Sequence, residues 1–169
     1  NDLWRYKVNE NTWTWMSGMN PSVARGKYGE KGKAHVENFS VIRSHAAGFY
    51  ESSTQEFWLF GGIVNKGVSE TSGMQCNHSI RIEQFTKINL ARKLNDLWKY
   101  RLNDGTWTWI SGSDTIDALG IYGSKGNASA ENVPGSRYGA VGWYDRLRQE
   151  FWVFGGYGIS ANSLQGTEI

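Results

Sequence analysis

Two apolar runs, Phe57-Trp58-Leu59-Phe60 and Phe151-Trp152-Val153-Phe154, each stop at a pair of glycines. Four large residues in succession predict a strand buried on both faces, and the double glycine predicts a turn where the backbone needs φ > 0. Leu-Trp-x-Tyr occurs within 1–8 and again within 95–102, and both stretches read as strands. Their hairpin partners are expected over 12–17 and 106–111, after turn residues Asn9-Glu10-Asn11 and Asn103-Asp104-Gly105. Trp107 and Trp109 stand at i and i+2, so both indoles share one strand face and need a neighbouring sheet to cover them. Val41 to Tyr50 and Arg137 to Tyr144 are further expected strands, and their Ala46, Ala47, Gly48, Ala140 and Gly142 predict close approach of another backbone. The connections 18–40 and 112–135 are polar, but each keeps Tyr-Gly-x-Lys-Gly, which predicts an ordered loop.

These elements repeat. Sliding the chain by 94 positions pairs residues 1–62 with 95–156 without a gap, and 32 of the 62 pairs are identical. Eight of the nine tryptophans pair with tryptophan, and Trp143 pairs with Phe49. A repeat that keeps aromatics and glycines while its charges drift preserves packing and turns. One unit reads as four short antiparallel strands: the small-residue strand, the buried strand, the Leu-Trp-x-Tyr strand and the Trp-x-Trp strand.

Gly-Gly after an apolar strand, followed by a Tyr and then a Trp seven positions on (Tyr6 to Trp13, Tyr100 to Trp107), resembles the kelch motif. The Asn-Asp-Leu-Trp-x-Tyr and Trp-Thr-Trp-x-Ser-Gly wording is similar to long aromatic-rich kelch arrays, relatives of the galactose-oxidase type of propeller. The resemblance implies an all-β fold of antiparallel four-stranded blades within a β-propeller. It implies outer strands of a first blade over 1–18, a full blade over 41–112 with an insertion at 63–93, and inner strands of a further blade over 137–169. A ring generally needs at least about four blades. The chain therefore reads as a fragment, opening inside a motif without Met, whose further blades come from the same or another chain.

Composition supports this picture and narrows it. With 39% hydrophobic and 14% aromatic residues, the 169-residue chain can fill a packed core. Twenty-one glycines against two prolines suit a turn-rich all-β protein. A net charge of +2 gives no reason to expect nucleic acid or an anionic membrane as partner, and no apolar run is long enough for a membrane span. Cys76 is the single cysteine, so no intrachain disulfide is possible. The insertion 63–93 holds five Lys/Arg and two Glu, a net +3, which leaves 2 − 3 = −1 for the remainder. Within it Ile80 to Phe85 alternates like a half-buried strand, and Arg81, Phe85 and Lys87 are candidate contacts of a binding loop. The alternative is a solvated insertion that merely extends the blade.

Of the three histidines, His35 and His45 pair in the repeat with Ser129 and Gly139, and His78 has no counterpart. Cys76-x-His78 lacks the second pair that zinc needs. The copper-radical oxidases of the resembled fold use a Tyr–Cys cross-link and two His ligands, and nitrile-specifier kelch proteins use a Glu-Asp-His pattern. Neither set is present, so no catalytic residue, metal or cofactor is expected. Glu51, Glu56, Asp145 and Glu150 flank hairpins, and solvated turns account for them. Arg43 and Arg137 repeat, and Pro134-Gly135-Ser136-Arg137 resembles the Pro-x-x-Arg of peptide-binding kelch domains, which implies an arginine at a pocket mouth gripping acidic groups. The alternative is a tether bonding loop carbonyls. Asn38, Asn77 and Asn127 begin N-x-S/T sequons, a number close to chance, which a secreted eukaryotic chain could glycosylate. The expected function is a non-catalytic module binding a protein or glycan, extracellular or at the cell surface, with a cytoplasmic location as the alternative. A structural building block of a surface assembly, or part of a carbohydrate oxidase with its catalytic residues elsewhere, are the competing readings.

Overall fold

The computed structural model describes residues 2–18, 26–64, 92–161 and 167–168. Among them there is no helix, and every sheet is antiparallel. Among the described residues no helix is long and apolar enough to cross a membrane. The strands are β1 (Asp2–Lys7), β2 (Thr12–Gly18), β3 (Ala47–Glu51), β4 (Glu56–Val64), β5 (Arg92–Arg101), β6 (Thr106–Ser111), β7 (Arg137–Tyr138), β8 (Val141–Asp145), β9 (Glu150–Phe154), β10 (Tyr157–Gly158) and β11 (Thr167–Glu168). The full sheet runs β3-β4-β5-β6; β1-β2 and β8-β9 are two-stranded, and β11-β10-β7 forms a small three-stranded sheet.

Four hairpins share one turn geometry. Each loop has four residues, and the last lies at positive φ: Asn11 at 50°, Gln55 at 55°, Gly105 at 69° and Gln149 at 56°. That residue lets the chain re-enter the second strand with the right twist. The carboxylates beside these loops cap them. Glu51 accepts the Ser53 backbone N–H at 2.7 Å, and Asp145 accepts those of Leu147 and Arg148. The Ser53 bonds hold the Glu51 carboxyl below its ordinary range, and those of Arg148 do the same for Asp145. Glu51 and Glu56 are nonetheless buried, not solvated. Glu56 is paired with Lys99 at 2.9 Å.

Two sequence expectations change. The double glycine does not end its strand in the first copy: β4 runs on to Val64, with a bulge between Phe60 and Gly62. Gly61 (φ 61°) lies against the Arg137 carbonyl, where a Cβ would stand 2.6 Å from the oxygen. The glycines permit close approach at a bulge. The second change concerns Val41 to Tyr50 and Arg137 to Tyr144, neither of which is one strand. His45 (φ 55°) separates the Ser44 bridge from β3, and its counterpart Gly139 (φ 69°) separates β7 from β8.

Burial differs between copies of the same motif. Trp98, Tyr100 and Trp107 form the buried cluster, packed by Leu3, Tyr28, Phe39, Phe57, Leu59 and Trp109. Their counterparts Trp4, Tyr6 and Trp13 are exposed, Trp13 by 65%. The second apolar run is also not buried on both faces: in β9 Trp152 and Phe154 are exposed, and among the described residues β9 pairs with β8 alone. The small residues do allow close packing. A Cβ on Gly142 would stand 3.3 Å from that of Ala47, where β8 crosses β3 and Phe49 stacks on Phe151 and Tyr144.

Candidate functional site at the junction of the repeat units

The connection 26–46 is ordered by backbone pairing. Lys27 bridges Phe39, and Gly32 and His35 donate backbone N–H to the Trp109 and Trp107 carbonyls, covering the outer edge of β6. Lys31 lies over the Trp109 ring, 4.3 Å from its centroid, and donates to the Gly112 carbonyl. The retained Tyr-Gly-x-Lys-Gly thus fixes the loop to the outer strand and delivers Tyr28 into the core.

There Tyr28, Arg43, Asp96 and Trp98 form a closed cluster. Arg43 forks onto Asp96 with both nitrogen–oxygen distances 2.6 Å, and it donates further to the Gly61 and Val41 carbonyls. The Tyr28 hydroxyl donates to Asp96 Oδ2 at 2.6 Å, and the Trp98 indole N–H donates to the same oxygen at 2.7 Å. Arg43 and Asp96 are both buried. Burial opposes the Arg43 charge, but the Asp96 carboxylate outweighs it and holds the guanidinium above its ordinary value. Burial, then the Asp96 charge, push the Tyr28 phenol far upward, so it stays a proton donor.

Arg137 sits in the matching place. It donates to the Gly135 carbonyl at 3.0 Å, the Gly155 carbonyl at 3.2 Å and the Tyr122 hydroxyl at 3.2 Å. Gly155 and Tyr122 are the repeat counterparts of Gly61 and Tyr28. Both arginines are therefore held by loop carbonyls and by neighbours inside the fold. Arg43 also lines a cleft, while its guanidinium is bonded to Asp96 and to loop carbonyls.

A cleft of about 240 Å³ opens beside Arg43, between the β1–β2 hairpin and the β3–β6 sheet. Leu3, Phe39, Phe57, Leu59 and Trp107 supply its apolar lining, and Asp2, Ser17, Ser40, Arg43, Ser44 and His45 its polar lining. Two bonds tie the hairpin to the sheet below the cleft: Trp107 donates its indole N–H to Ser17 Oγ at 2.9 Å, and Tyr100 donates its hydroxyl to the Met16 carbonyl at 3.4 Å. A lining that mixes aromatic and aliphatic side chains with serine hydroxyls suits an apolar side chain presented on a polar backbone.

The other expected residues are scattered. Arg81, Phe85, Lys87 and Asn77, with Cys76 and His78, lie outside the described residues. Asn38 is buried and donates its amide to the Lys33 and Trp107 carbonyls, so the folded chain has no room for a glycan there. Asn127 is exposed. His35 accepts the Glu37 backbone N–H, and His45 is a turn residue. No three His, Cys, Asp or Glu side chains cluster as metal ligands among the described residues.

Sequence reasoning overlooked Asp96, the centre of the cluster. Its signal was available in the sequence, because Asn-Asp stands before Leu-Trp-x-Tyr in both copies, at Asn1-Asp2 and Asn95-Asp96. Comparison with protein-family models gives no match, and none of the curated proteins matches the chain.

Proposed function

We propose that the chain is a non-catalytic interaction module, a segment of a kelch-type propeller whose cleft between repeat units receives a protein partner. The cleft carries this reading. Its lining combines the aromatic Phe57 and Trp107 with several serines, and its volume of about 240 Å³ suits one or two large side chains. The chemistry-bearing groups nearest to it, Arg43, Asp96 and Tyr28, are spent on one another and serve to hold its walls. A rigid scaffold carrying an apolar recess is what recognition of a hydrophobic anchor requires. A second reading, a building block of a larger assembly, is favoured by the two incomplete sheets, β1-β2 and β8-β9.

Panning the immobilised chain with a library of short displayed peptides tests the module. Captured peptides are expected to compete for one site and to lose at least about tenfold in affinity, or about 1.4 kcal/mol, on Ser44→Phe, which fills the cleft. Binders indifferent to that substitution would place recognition elsewhere on the molecule.

A further inference from the structure

We propose that Asn127 is an acceptor for an N-linked glycan when the chain passes through a eukaryotic secretory pathway, and that Asn38 is not. Both begin a sequon, Asn127-Ala128-Ser129 and Asn38-Phe39-Ser40, and neither sequon contains or precedes a proline. The motif by itself ranks the two equally. The fold separates them by where it puts the two side-chain amides.

Asn38 is 3% exposed, and its amide nitrogen donates to the Lys33 carbonyl at 3.1 Å and the Trp107 carbonyl at 3.2 Å. Its amide oxygen lies against Gly29, where a Cβ would stand 2.5 Å away. A glycan is carried on that same nitrogen, so it would break the bonds that brace the loop and fasten it to β6. Asn127 stands in a different place on the same kind of loop. The Asn127 backbone N–H donates to the Ser124 carbonyl at 3.0 Å, and its carbonyl accepts the Asn132 amide at 3.1 Å. Ser129 Oγ accepts the Glu131 backbone N–H at 3.2 Å. These bonds use the Asn127 backbone and leave its side-chain amide in solvent, within a stretch exposed from 121 to 131.

This exposure does not depend on what lies beside the loop. The repeat places an equivalent loop at 27–39, with the bridge Lys27↔Phe39 in place of Ile121↔Val133 and Asn38 bracing the Lys33 carbonyl as Asn132 braces that of Asn127. That loop is closed against β6, to which Gly32 and His35 donate their backbone N–H. Position 33 is the counterpart of Asn127, and the Lys33 side chain still has 69% of its surface in solvent. A glycan at Asn127 is therefore compatible with a strand packed along its loop. No residue of 120–133 lines the cleft, so the glycan leaves it open, and the module reading stands or falls separately.

The donor class is a lipid-diphosphate-linked oligosaccharide. The Asn127 amide nitrogen bonds to its anomeric carbon, and the bond from that carbon to the diphosphate oxygen breaks. The lipid diphosphate leaves, and one amide proton passes to a base of the transferase.

Secretion of the full 169-residue chain from cultured eukaryotic cells, behind a cleaved leader, tests this. Removing the glycans with an amidase in heavy-oxygen water converts each glycosylated Asn to a labelled Asp, which peptide mass spectrometry locates. Label is expected at Asn127 and absent at Asn38. Ser129→Ala keeps Asn127 itself and should abolish its label, and Ser129→Thr should retain it. Asn127→Gln should remove the label while leaving the thermal midpoint of the glycan-free chain unchanged, because the fold makes no use of that amide. Cell-free translation with added microsomes reads acceptor use without secretion and should label Asn127 as well. An unlabelled Asn127 in either system, label that survives Ser129→Ala, or label at Asn38 in the folded secreted chain overturns the assignment.

Discussion

Asp96 is the most heavily used side chain of the junction, accepting two bonds from Arg43, one from Tyr28 and one from Trp98. Replacing it with Asn keeps the shape but removes the charge, and it turns an amide N–H₂ toward groups that are themselves donors. The buried Arg43 guanidinium is then uncompensated, a situation that costs about 3–5 kcal/mol. Asp96→Asn should accordingly lower the urea midpoint strongly, followed by tryptophan fluorescence, whereas a loss below about 1 kcal/mol would mean that the cluster is solvated in solution. At this scale the sequence was half legible. Repetition singled out Arg43 and Arg137, but the carboxylate that accepts from Arg43 lies 53 positions away on β5. Such a partner has no local signature, and Asn-Asp ahead of an apolar run is also what a turn looks like.

Strands and hairpins were easier to read than the points where they bend. Alternation and aromatic runs located the four long hairpins, and Asp104-Gly105 marked one turn correctly. Gln55 and Gln149 take the same left-handed turn position without belonging to the residue types that advertise it, so they were passed over. His45 was treated as outside the framework, although its pairing with a glycine in the repeat was the available clue to positive φ. Glycine serves two separable purposes in these elements. Gly139 (φ 69°) has open space where a Cβ would stand, so Gly139→Ala meets only backbone strain, about 1–2 kcal/mol. Gly61 combines positive φ with a carbonyl 2.6 Å from the would-be Cβ, and both neighbouring atoms are backbone. Thermal denaturation should therefore rank Gly61→Ala well below Gly139→Ala. The reverse order would show that the β4 bulge is looser than its geometry implies.

Over the whole molecule, one sequence motif has been given two fates by its surroundings. Leu-Trp-x-Tyr and Trp-x-Trp build a buried cluster in β5–β6, where the 26–40 connection and β4 cover them, yet in β1–β2 the same residues face outward. Period and propensity are identical in the two copies, so no local reading could separate them; only the presence of a neighbouring layer does. The consequence is an uneven distribution of stability. An isolated two-stranded hairpin is marginal in water, whereas the four-stranded sheet sets β4 and β5 each between two neighbouring strands. Hydrogen exchange should show the amides of β4 and β5 opening only with the global transition. Those of β1–β2 and β8–β9 should exchange faster by at least about a hundredfold, equivalent to about 2.7 kcal/mol of local stability. Uniform protection across all four hairpins would mean that the end hairpins are held as firmly as the full sheet.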